Sequence, residues 1–441
     1  MSGEARPAGS RSPSGLGARA MAADVLRRVW EDQAFAAAVL STELDRAGRL
    51  DVRDKGLATE LVYGVLRTEK SLFERLSRYG ALKASDTALL AHLFVAVYQL
   101  SFLDRVPPHA AVSEAVELVR ALRGPRVAGF ANALLRKLAD EGKKELSKAV
   151  VASAPRWLFD KMARDVGHEE AALLFGAGGS SASTALRLRE GRPLRDWMTD
   201  PERAVQSPTT PHALRYSGGG EPRRLEGYAE GDFVVQEEGA QLLAWAVGVK
   251  PGERVLDACA GRGQKASLLA EQVGERGALV VADVHAAKLS HLADEFRRLG
   301  LPEPARHVVD WAAPDAGAEL WGSFDRVLVD APCTGDGTLR RRPEIAHRLK
   351  KDDPSRLAEL QVRVLRGAAL CARSGGAVVY ATCSVLREEC EAVIERVSDL
   401  LEPAPFDAPA VEPFAGGATA VRLLPGQHGT DGYFVARLRR R

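Results

Sequence analysis

The stretch Arg254–Lys265 reads RVLDACAGRGQK and joins an apolar strand pattern to the start of a helix. Asp257 closes the strand, and Gly261 and Gly263 lie in the turn that follows. Glycines at such a turn let the backbone approach a ligand at the carboxyl end of the strand. The stretch therefore predicts the first strand, loop and helix of a Rossmann-like α/β domain.

The chain after this stretch keeps alternating strand and helix patterns, which favours a parallel sheet with helices on both faces. Predicted strands are Arg254–Asp257, Ala278–Asp283, Arg306–Asp310, Phe324–Asp330 and Gly376–Thr382. Predicted helices are Ala287–Leu299, Ser355–Ala372 and Arg387–Leu401, and a last edge strand is expected near 431–438.

The chain before this stretch has two other patterns. Period-3.6 apolar runs predict a bundle of six or seven helices, and mixed signals with a strand pattern at Thr184–Leu188 predict a small α/β module. We therefore expect a multidomain protein. Its predicted parts are a disordered tail (1–17), an all-α domain (18–148), a small α/β RNA-recognition-like module (149–232) and a catalytic α/β domain (233–441).

Composition narrows the class of protein. The 441 residues are 46% hydrophobic and 27% charged, and the net charge of +2 requires any nucleic-acid site to be a local basic patch. Five cysteines without a CxxC pair indicate reduced thiols in a cytoplasmic protein and neither a disulfide framework nor a metal site. The apolar run 89–103 is short for a membrane span and suggests a buried helix. We expect a monomer.

The cofactor loop favours S-adenosylmethionine over a dinucleotide. The third glycine of a GxGxxG motif is missing, and an acid precedes the loop. Asp283, 20 residues past Gly263, is placed to accept ribose hydroxyls, and Asp310 is placed near the adenine end. The predicted cofactor-binding residues are Asp257, Cys259, Ala260, Gly261, Gly263, Lys265, Asp283, Asp310 and Asp330.

Two cysteines follow later strands, Cys333 in DAPCTG (330–335) and Cys383 in YATCS (380–384). Both loops belong to the carboxyl edge of a parallel sheet, where the cofactor is expected. Cytosine C5 accepts a methyl group only after a thiolate adds to C6, and a base must then remove the C5 proton. The pair therefore indicates cytosine-C5 methylation. Cys371 and Cys390, in helical patterns, are expected to be structural.

DAPCTG together with Thr382–Ser384 resembles the paired motifs of the RNA cytosine-5 methyltransferases of the NOL1/NOP2/Sun family. The resemblance implies that Cys383 is the nucleophile, that Cys333 assists product release and that Asp330 contacts the cytosine ring. Lys265, which the family loop also carries, joins the predicted catalytic set.

The resemblance covers most of the chain. Val235–Gln241 and Gly337–Ile345 are similar to further family segments, and Tyr63–Arg67, Pro107–Val116 and Asn132–Arg136 are similar to NusB-type helices. The NusB-like domain is typical of the family members that methylate bacterial 16S rRNA. The implied partner is therefore 16S rRNA or a small-subunit precursor.

The cofactor loop departs from the family pattern. CAAPGGKT is usual, whereas Cys259–Ala266 reads CAGRGQKA, with Arg262 and Gln264 replacing proline and glycine. We expect a looser loop that still binds the cofactor.

A basic cluster follows the first cysteine loop, and its predicted RNA-binding residues are Arg340, Arg341, Arg342 and Arg348. A solvated helix surface is the alternative. A target cytosine must leave any stack to reach a thiolate, so looped RNA is the expected substrate.

Other functions stay open at this stage. The enzyme could methylate tRNA or another rRNA site, and the NusB-like helices allow a noncatalytic RNA-binding or antitermination protein. A DNA cytosine methyltransferase fits less well, since those enzymes place the nucleophile in a Pro-Cys motif, whereas this chain also has the Thr-Cys-Ser motif at 382–384.

Overall fold

The structure is a computed structural model that describes residues 17–47, 50–179 and 183–441. Residues 1–16 of the predicted tail lie outside the described residues. The chain divides into two compact units, one ending at Ser153 and one spanning Ala154–Arg441. The three boundaries between the four predicted parts stay predictions.

The first unit is all-α. Its helices are α1 (Ala18–Glu31), α2 (Ala36–Arg46), α3 (Val52–Ser77), α4 (Thr87–Phe102), α5 (Pro108–Asp140) and α6 (Leu146–Ser153). Gly124 has a φ of 81° and kinks α5 just before Pro125. The apolar run 89–103 forms α4, which is buried in the core of this bundle. Among the described residues, no helix has both the length and the apolar character that a membrane span requires.

The second unit starts with two helices and a small antiparallel sheet. The elements are α7 (Arg156–Val166), α8 (His168–Leu174), β1 (Thr184–Leu188), α9 (Asp196–Thr199), β2 (Ala204–Gln206), β3 (Ala213–Tyr216) and β4 (Phe233–Val235). The strand order is β2-β3-β1-β4. Since β4 pairs with β1, the small sheet extends past the predicted module boundary at residue 232.

The main sheet contains the other eight strands. Its first half comprises α10 (Glu238–Trp245), β5 (Arg254–Asp257), α11 (Gln264–Val273), β6 (Ala278–Asp283), α12 (Ala286–Leu299), β7 (Ala305–Val308) and β8 (Phe324–Asp330). Its second half comprises α13 (Glu344–Arg348), α14 (Asp353–Ala369), β9 (Ala372–Thr382), α15 (Glu391–Glu395), β10 (Leu401–Pro403), α16 (Glu412–Ala415), β11 (Ala420–Leu423), α17 (Pro425–His428) and β12 (Tyr433–Arg440).

The strand order is β10-β12-β9-β8-β5-β6-β7, with β11 beside β12. The five strands β7, β6, β5, β8 and β9 are parallel, and β12 runs antiparallel to β9. Strands β6 and β7 lie on one side of β5, and the chain then crosses to the other side of β5 to form β8. The switch point therefore lies between β5 and β8, where α/β sheets bind their ligands.

Several predicted elements differ from the structure. Strand β9 begins at Ala372, before the predicted Gly376, and α14 ends at Ala369, before the predicted Ala372. The third parallel strand ends at Val308, two residues before Asp310. The predicted helix Arg387–Leu401 is a 3₁₀ turn (Arg387–Glu389), the short helix α15 and the start of β10. Cys390 has φ −113° and ψ −103°, a non-helical backbone that interrupts the helix. Cys390 directly precedes α15, Cys371 lies in the turn after α14, and both cysteines are buried.

Candidate active site

The two predicted catalytic thiols are in contact. Cys333 Sγ and Cys383 Sγ are 3.2 Å apart. Each thiol lies on the loop after a strand, β8 or β9, and these strands are neighbouring and parallel, with Asp330 opposite Ala381. Parallel pairing brings the two carboxyl ends to the same edge of the sheet, so the two loops converge although fifty residues separate the cysteines.

Buried hydrogen bonds fix the loop of Cys333. Gln361 Nε2 donates to the carbonyl of Pro332 over 2.9 Å, and Tyr380 OH donates to Gln361 Oε1 over 3.1 Å. Gly337 N donates to the carbonyl of Cys383 over 3.0 Å. A Cβ on Gly337 would lie 2.0 Å from the carbonyl oxygen of Gly432, just before β12. Position 337 therefore has no room for a side chain. Sequence reasoning missed Gln361 and Tyr380.

Lys265 lies in the first turn of α11 and connects the cofactor loop to the thiols. Its Nζ is 2.6 Å from Asp330 Oδ2, at the end of β8. Burial lowers the pKa of Lys265, but the charges of Asp330, Cys383 and Asp257 outweigh burial and raise it. Lys265 therefore stays a cation beside both a carboxylate and a thiol.

The cofactor loop has the backbone that its glycines predict. Gly261 and Gly263 have φ values of 55° and 88°. A Cβ on Gly263 would lie 2.7 Å from the Leu292 side chain, whereas one on Gly261 would meet no atom within 4 Å. The side of the loop at Gly261 is therefore open. Gln264 Nε2 donates to the carbonyl of Val235 over 3.0 Å, a bond that glycine could not make.

Asp257 is buried at the end of β5, and its Oδ1 accepts from Cys259 N over 3.3 Å. Burial and the charge of Asp330 raise the pKa of Asp257 to about 7. Burial is also the main cause that raises the pKa of the Cys259 thiol, and the charge of Asp257 is the second cause. Cys259 is thus a neutral thiol at the start of the loop, and Ala260 next to it is buried.

Asp283 supports the loop from the end of β6. Its Oδ2 accepts from Gly261 N over 3.0 Å and its Oδ1 from His285 N over 2.8 Å. Each carboxylate oxygen has a second lone pair, so Asp283 can accept further hydrogen bonds. Asp310 is different, because it is exposed beyond β7 and accepts from Ala312 N over 3.0 Å.

The basic cluster is partly engaged within the protein. Arg340 Nε and Arg341 Nε donate to the two oxygens of Asp431, Arg341 over 2.8 Å. Arg342 is exposed, and Arg348 is half-buried. Two of the four predicted RNA-binding arginines therefore have a buried acid as a partner.

Two buried acids near the thiols had not been predicted from the sequence. Asp336 and Glu389 are fully buried in the loops that carry Cys333 and Cys383. The available signal was only that each acid lies three to six residues after the cysteine of a motif. In the described part of the chain, no group of three or more His, Cys, Asp or Glu side chains is arranged to hold a metal ion.

The mixed sheet, the acid-and-glycine loop at its switch point and the thiols beside it define a Rossmann-like methyltransferase domain. A model described as 16S rRNA methyltransferase RsmB/F matches residues 244–439, and the NusB family model matches residues 16–140.

Close relatives extend over nearly the whole chain. The probable ribosomal RNA small subunit methyltransferase B of Bacillus subtilis is 30% identical, with 96% of this chain and 98% of the relative covered. The ribosomal RNA small subunit methyltransferase B of Pseudomonas syringae pv. tomato is 33% identical over 95% and 96%. The crystal structure of PH0851 shares the fold, with a TM-score of 0.79 and 23% identity over 96% and 99%. The chain belongs to the ribosomal RNA small subunit methyltransferase B family.

Proposed function

We propose that the protein transfers a methyl group from S-adenosylmethionine to C5 of a cytosine in 16S rRNA through a covalent Cys383–C6 adduct. The observation that carries the proposal is the 3.2 Å contact of Cys333 and Cys383 beside the switch point of the sheet. The small-subunit substrate is taken from the names of the relatives. The paired thiols support cytosine C5, since C5 needs a nucleophile at C6.

The loop residues fit S-adenosylmethionine. The open side at Gly261 leaves room for a ligand, and Asp283 keeps acceptor capacity for ribose hydroxyls. Asp257 would accept from the ammonium group of the methionine end, and Asp310, exposed at the rim, would face the adenine end. When bound, S-adenosylmethionine supplies an electrophilic methyl group.

The catalytic steps follow from the contacts of the thiols. The Cys383 thiolate forms a bond to C6, and the electron pair of the C5–C6 double bond becomes available at C5. Asp330 at the end of β8 and Lys265, whose Nζ reaches Asp330 from α11, would face the ring and stabilise the charge that develops on it. After methylation a base takes the C5 proton, the C5–C6 double bond re-forms and the S–C6 bond breaks.

Cys333 assists this last step as a neutral thiol. Its hydrogen bond with Cys383, followed by burial, raises the pKa of Cys333 well above its usual range. A protonated Cys333 donates a hydrogen bond to the Cys383 sulfur and stabilises it as it leaves C6 as a thiolate. Loss of Cys333 would therefore slow release more than attack.

RNA binding is assigned to the basic cluster next to the first cysteine loop. Arg342 and Arg348 would contact phosphates, and Arg340 and Arg341 would contribute the guanidinium groups that Asp431 orients. Binding should weaken as salt increases, because each phosphate contact releases counterions.

Bisulfite sequencing of 16S rRNA and tRNA from a strain that lacks the gene, compared with its parent, tests the substrate. We expect one 16S rRNA cytosine to lose its methyl group and to regain it when the gene is restored. Loss of a tRNA methyl group with intact 16S rRNA would instead assign the enzyme to tRNA.

A further inference from the structure

Two buried acids lie next to the paired thiols and have no part in the steps above. Asp336 follows Cys333 in the loop after β8, and Glu389 ends the 3₁₀ turn after Cys383. Both side chains are completely buried. A buried acid is costly unless hydrogen bonds or a proton compensate its charge, so both acids need an explanation.

Asp336 binds the segment that carries the other thiol. Ser384 Oγ donates to Asp336 Oδ2 over 2.6 Å, and Val385 N donates to Asp336 Oδ1 over 2.9 Å. Leu386 N donates to Ser384 Oγ over 3.2 Å, which leaves the Ser384 proton for Asp336. Asp336 therefore acts as an acceptor, which is the role of an ionised carboxylate.

Glu389 makes the reciprocal contact. Both of its carboxyl oxygens lie 3.1 Å from Thr334 N, in the loop that carries Cys333. Each cysteine loop therefore supplies one acid that binds the other loop.

The hydroxyl of Thr334 joins the two acids. Thr334 Oγ1 is 2.5 Å from Asp336 Oδ2 and 2.6 Å from Glu389 Oε2. A hydroxyl has one proton and can donate to only one of two carboxylates, so the second contact requires a proton on a carboxyl group. Because Asp336 already accepts from Ser384 and Val385, that proton belongs to Glu389.

The electrostatics agree with this count of protons. Burial and the charge of Asp336 raise the pKa of Glu389 to about 7, and burial raises the pKa of Asp336. The titratable groups that face the pair are Cys333 in the loop after β8, Tyr380 on β9 and Cys390 before α15, and Arg422 and Glu391 face Cys390 in turn.

We propose that Asp336 and Glu389 share one proton through the Thr334 hydroxyl and are positioning residues that hold Cys333 and Cys383 in contact. The inference rests on the methyl transfer proposed above, in which both thiols act. When Glu389 loses the proton, two carboxylates face one hydroxyl proton, and their repulsion separates the loops. In Glu389→Gln the side-chain amide is neutral at every pH and still donates a hydrogen bond, so the two loops stay together as pH rises.

Methylation kinetics from pH 6 to pH 9 test the proposal, with kcat and KM measured on 16S rRNA for four forms of the full chain. Asp336→Asn should lower kcat at least tenfold with KM changed less than threefold, because its amide places a donor where Ser384 and Thr334 donate. Glu389→Gln should lower kcat less than threefold at pH 6.5. The ratio of its kcat to that of the wild type should rise at least threefold by pH 8.5.

Glu395→Gln is the matched control, because Glu395 is exposed and pairs with Arg387. The ratio of the kcat of Glu395→Gln to that of the wild type should stay constant from pH 6 to pH 9. A flat ratio for Glu389→Gln, or a wild-type kcat for Asp336→Asn, would overturn the proposal. If Asp336→Asn fails to fold, Thr334→Val should lose kcat and Thr334→Ser should recover it, and equal kcat values for these two variants would also overturn it.

Infrared difference spectroscopy tests the shared proton without RNA or cofactor. The wild type at pH 6 should show a protonated buried carboxyl band that Glu389→Gln reduces, and an unchanged band would refute the shared proton. This result is independent of the proposed function, which fails separately if the wild type methylates neither 16S rRNA nor tRNA.

Discussion

The cofactor loop and the two cysteine loops lie at the same edge of the sheet but are built differently. Backbone conformation shapes the cofactor loop, where Gly261 and Gly263 have positive φ and one side is open. Side-chain hydrogen bonds in a fully buried cluster fix the cysteine loops, with Asp336 and Glu389 as its acids. A loop with an open side tolerates new side chains, whereas a buried polar cluster does not.

The largest effect is expected at Cys383, the proposed nucleophile in the cysteine loops. Cys383→Ala should reduce methylation below detection, because the pKa of the neighbouring Cys333 is raised well above its usual range and this neutral thiol does not add to C6. Cys371→Ala, at a buried cysteine remote from the proposed chemistry, is the control and should keep activity. Methylation of 16S rRNA by purified enzyme is the measurement, and substantial activity in Cys383→Ala would contradict the mechanism.

Removing an acid of the cofactor region should have a moderate effect. Asp283→Ala deletes the acceptor for Gly261 N and, under the proposed function, the acceptor for the ribose hydroxyls. Affinity for S-adenosylmethionine should fall about tenfold, which corresponds to ~1.4 kcal/mol. Isothermal titration after removal of copurified ligand measures it, and Asp294→Ala, on the exposed face of α12, should leave affinity unchanged.

The pH dependence of cofactor binding should follow the ionisation of the Asp257 carboxyl group. Its pKa of about 7 means that the carboxyl group is protonated below pH 7 and ionised above it. An ionised carboxylate attracts the cationic ligand, so affinity should rise as pH rises through 7. Titrations at pH 6 and pH 8 measure this, and Asp257→Asn should remove the rise.

Ionisation of Asp257 should have the opposite effect on the stability of the ligand-free protein, which should fall as pH rises. Since the pKa of Asp257 is raised above its ordinary value of 3.8, its contribution to stability is complete at low pH and is lost as pH rises through 7. The thermal midpoint of the ligand-free wild type should therefore drop more between pH 5 and pH 8 than that of Asp257→Asn. Equal drops would show that the acid is not buried in the free protein.

The smallest effect is expected where this chain departs from the family loop. Gln264→Gly removes the bond to Val235 and should destabilise α11 by about 0.5–1 kcal/mol. Arg262→Pro should change cofactor affinity less than threefold. A tenfold loss of affinity in either variant would show that the cofactor loop is as intolerant as the cysteine loops.

Much of this site could be predicted from sequence because it depends on local patterns. Strands β5, β6 and β8 have their predicted bounds, and their ends place Asp257, Asp283 and Asp330 at one edge. The contact of Cys333 with Cys383 follows from parallel pairing of neighbouring strands.

Features that depend on tertiary contacts could not be predicted. Nothing local shows that Asp336 would meet Ser384, because 48 residues separate them. The same holds for Arg341, whose partner Asp431 is 90 residues away and neutralises a residue that the sequence presents as part of a basic surface. The segment after Arg387 has a helical pattern, but the backbone at Cys390 interrupts it.

Trapping of the RNA adduct tests the central claim most directly. Purified Cys333→Ala, incubated with 16S rRNA and S-adenosylmethionine, should accumulate a protein–RNA complex that survives denaturing electrophoresis and maps to Cys383. The double variant Cys333→Ala/Cys383→Ala should give none. A stable complex that maps to another residue, or methylation by Cys333→Ala at the wild-type rate without a complex, would contradict the division of roles between the two thiols.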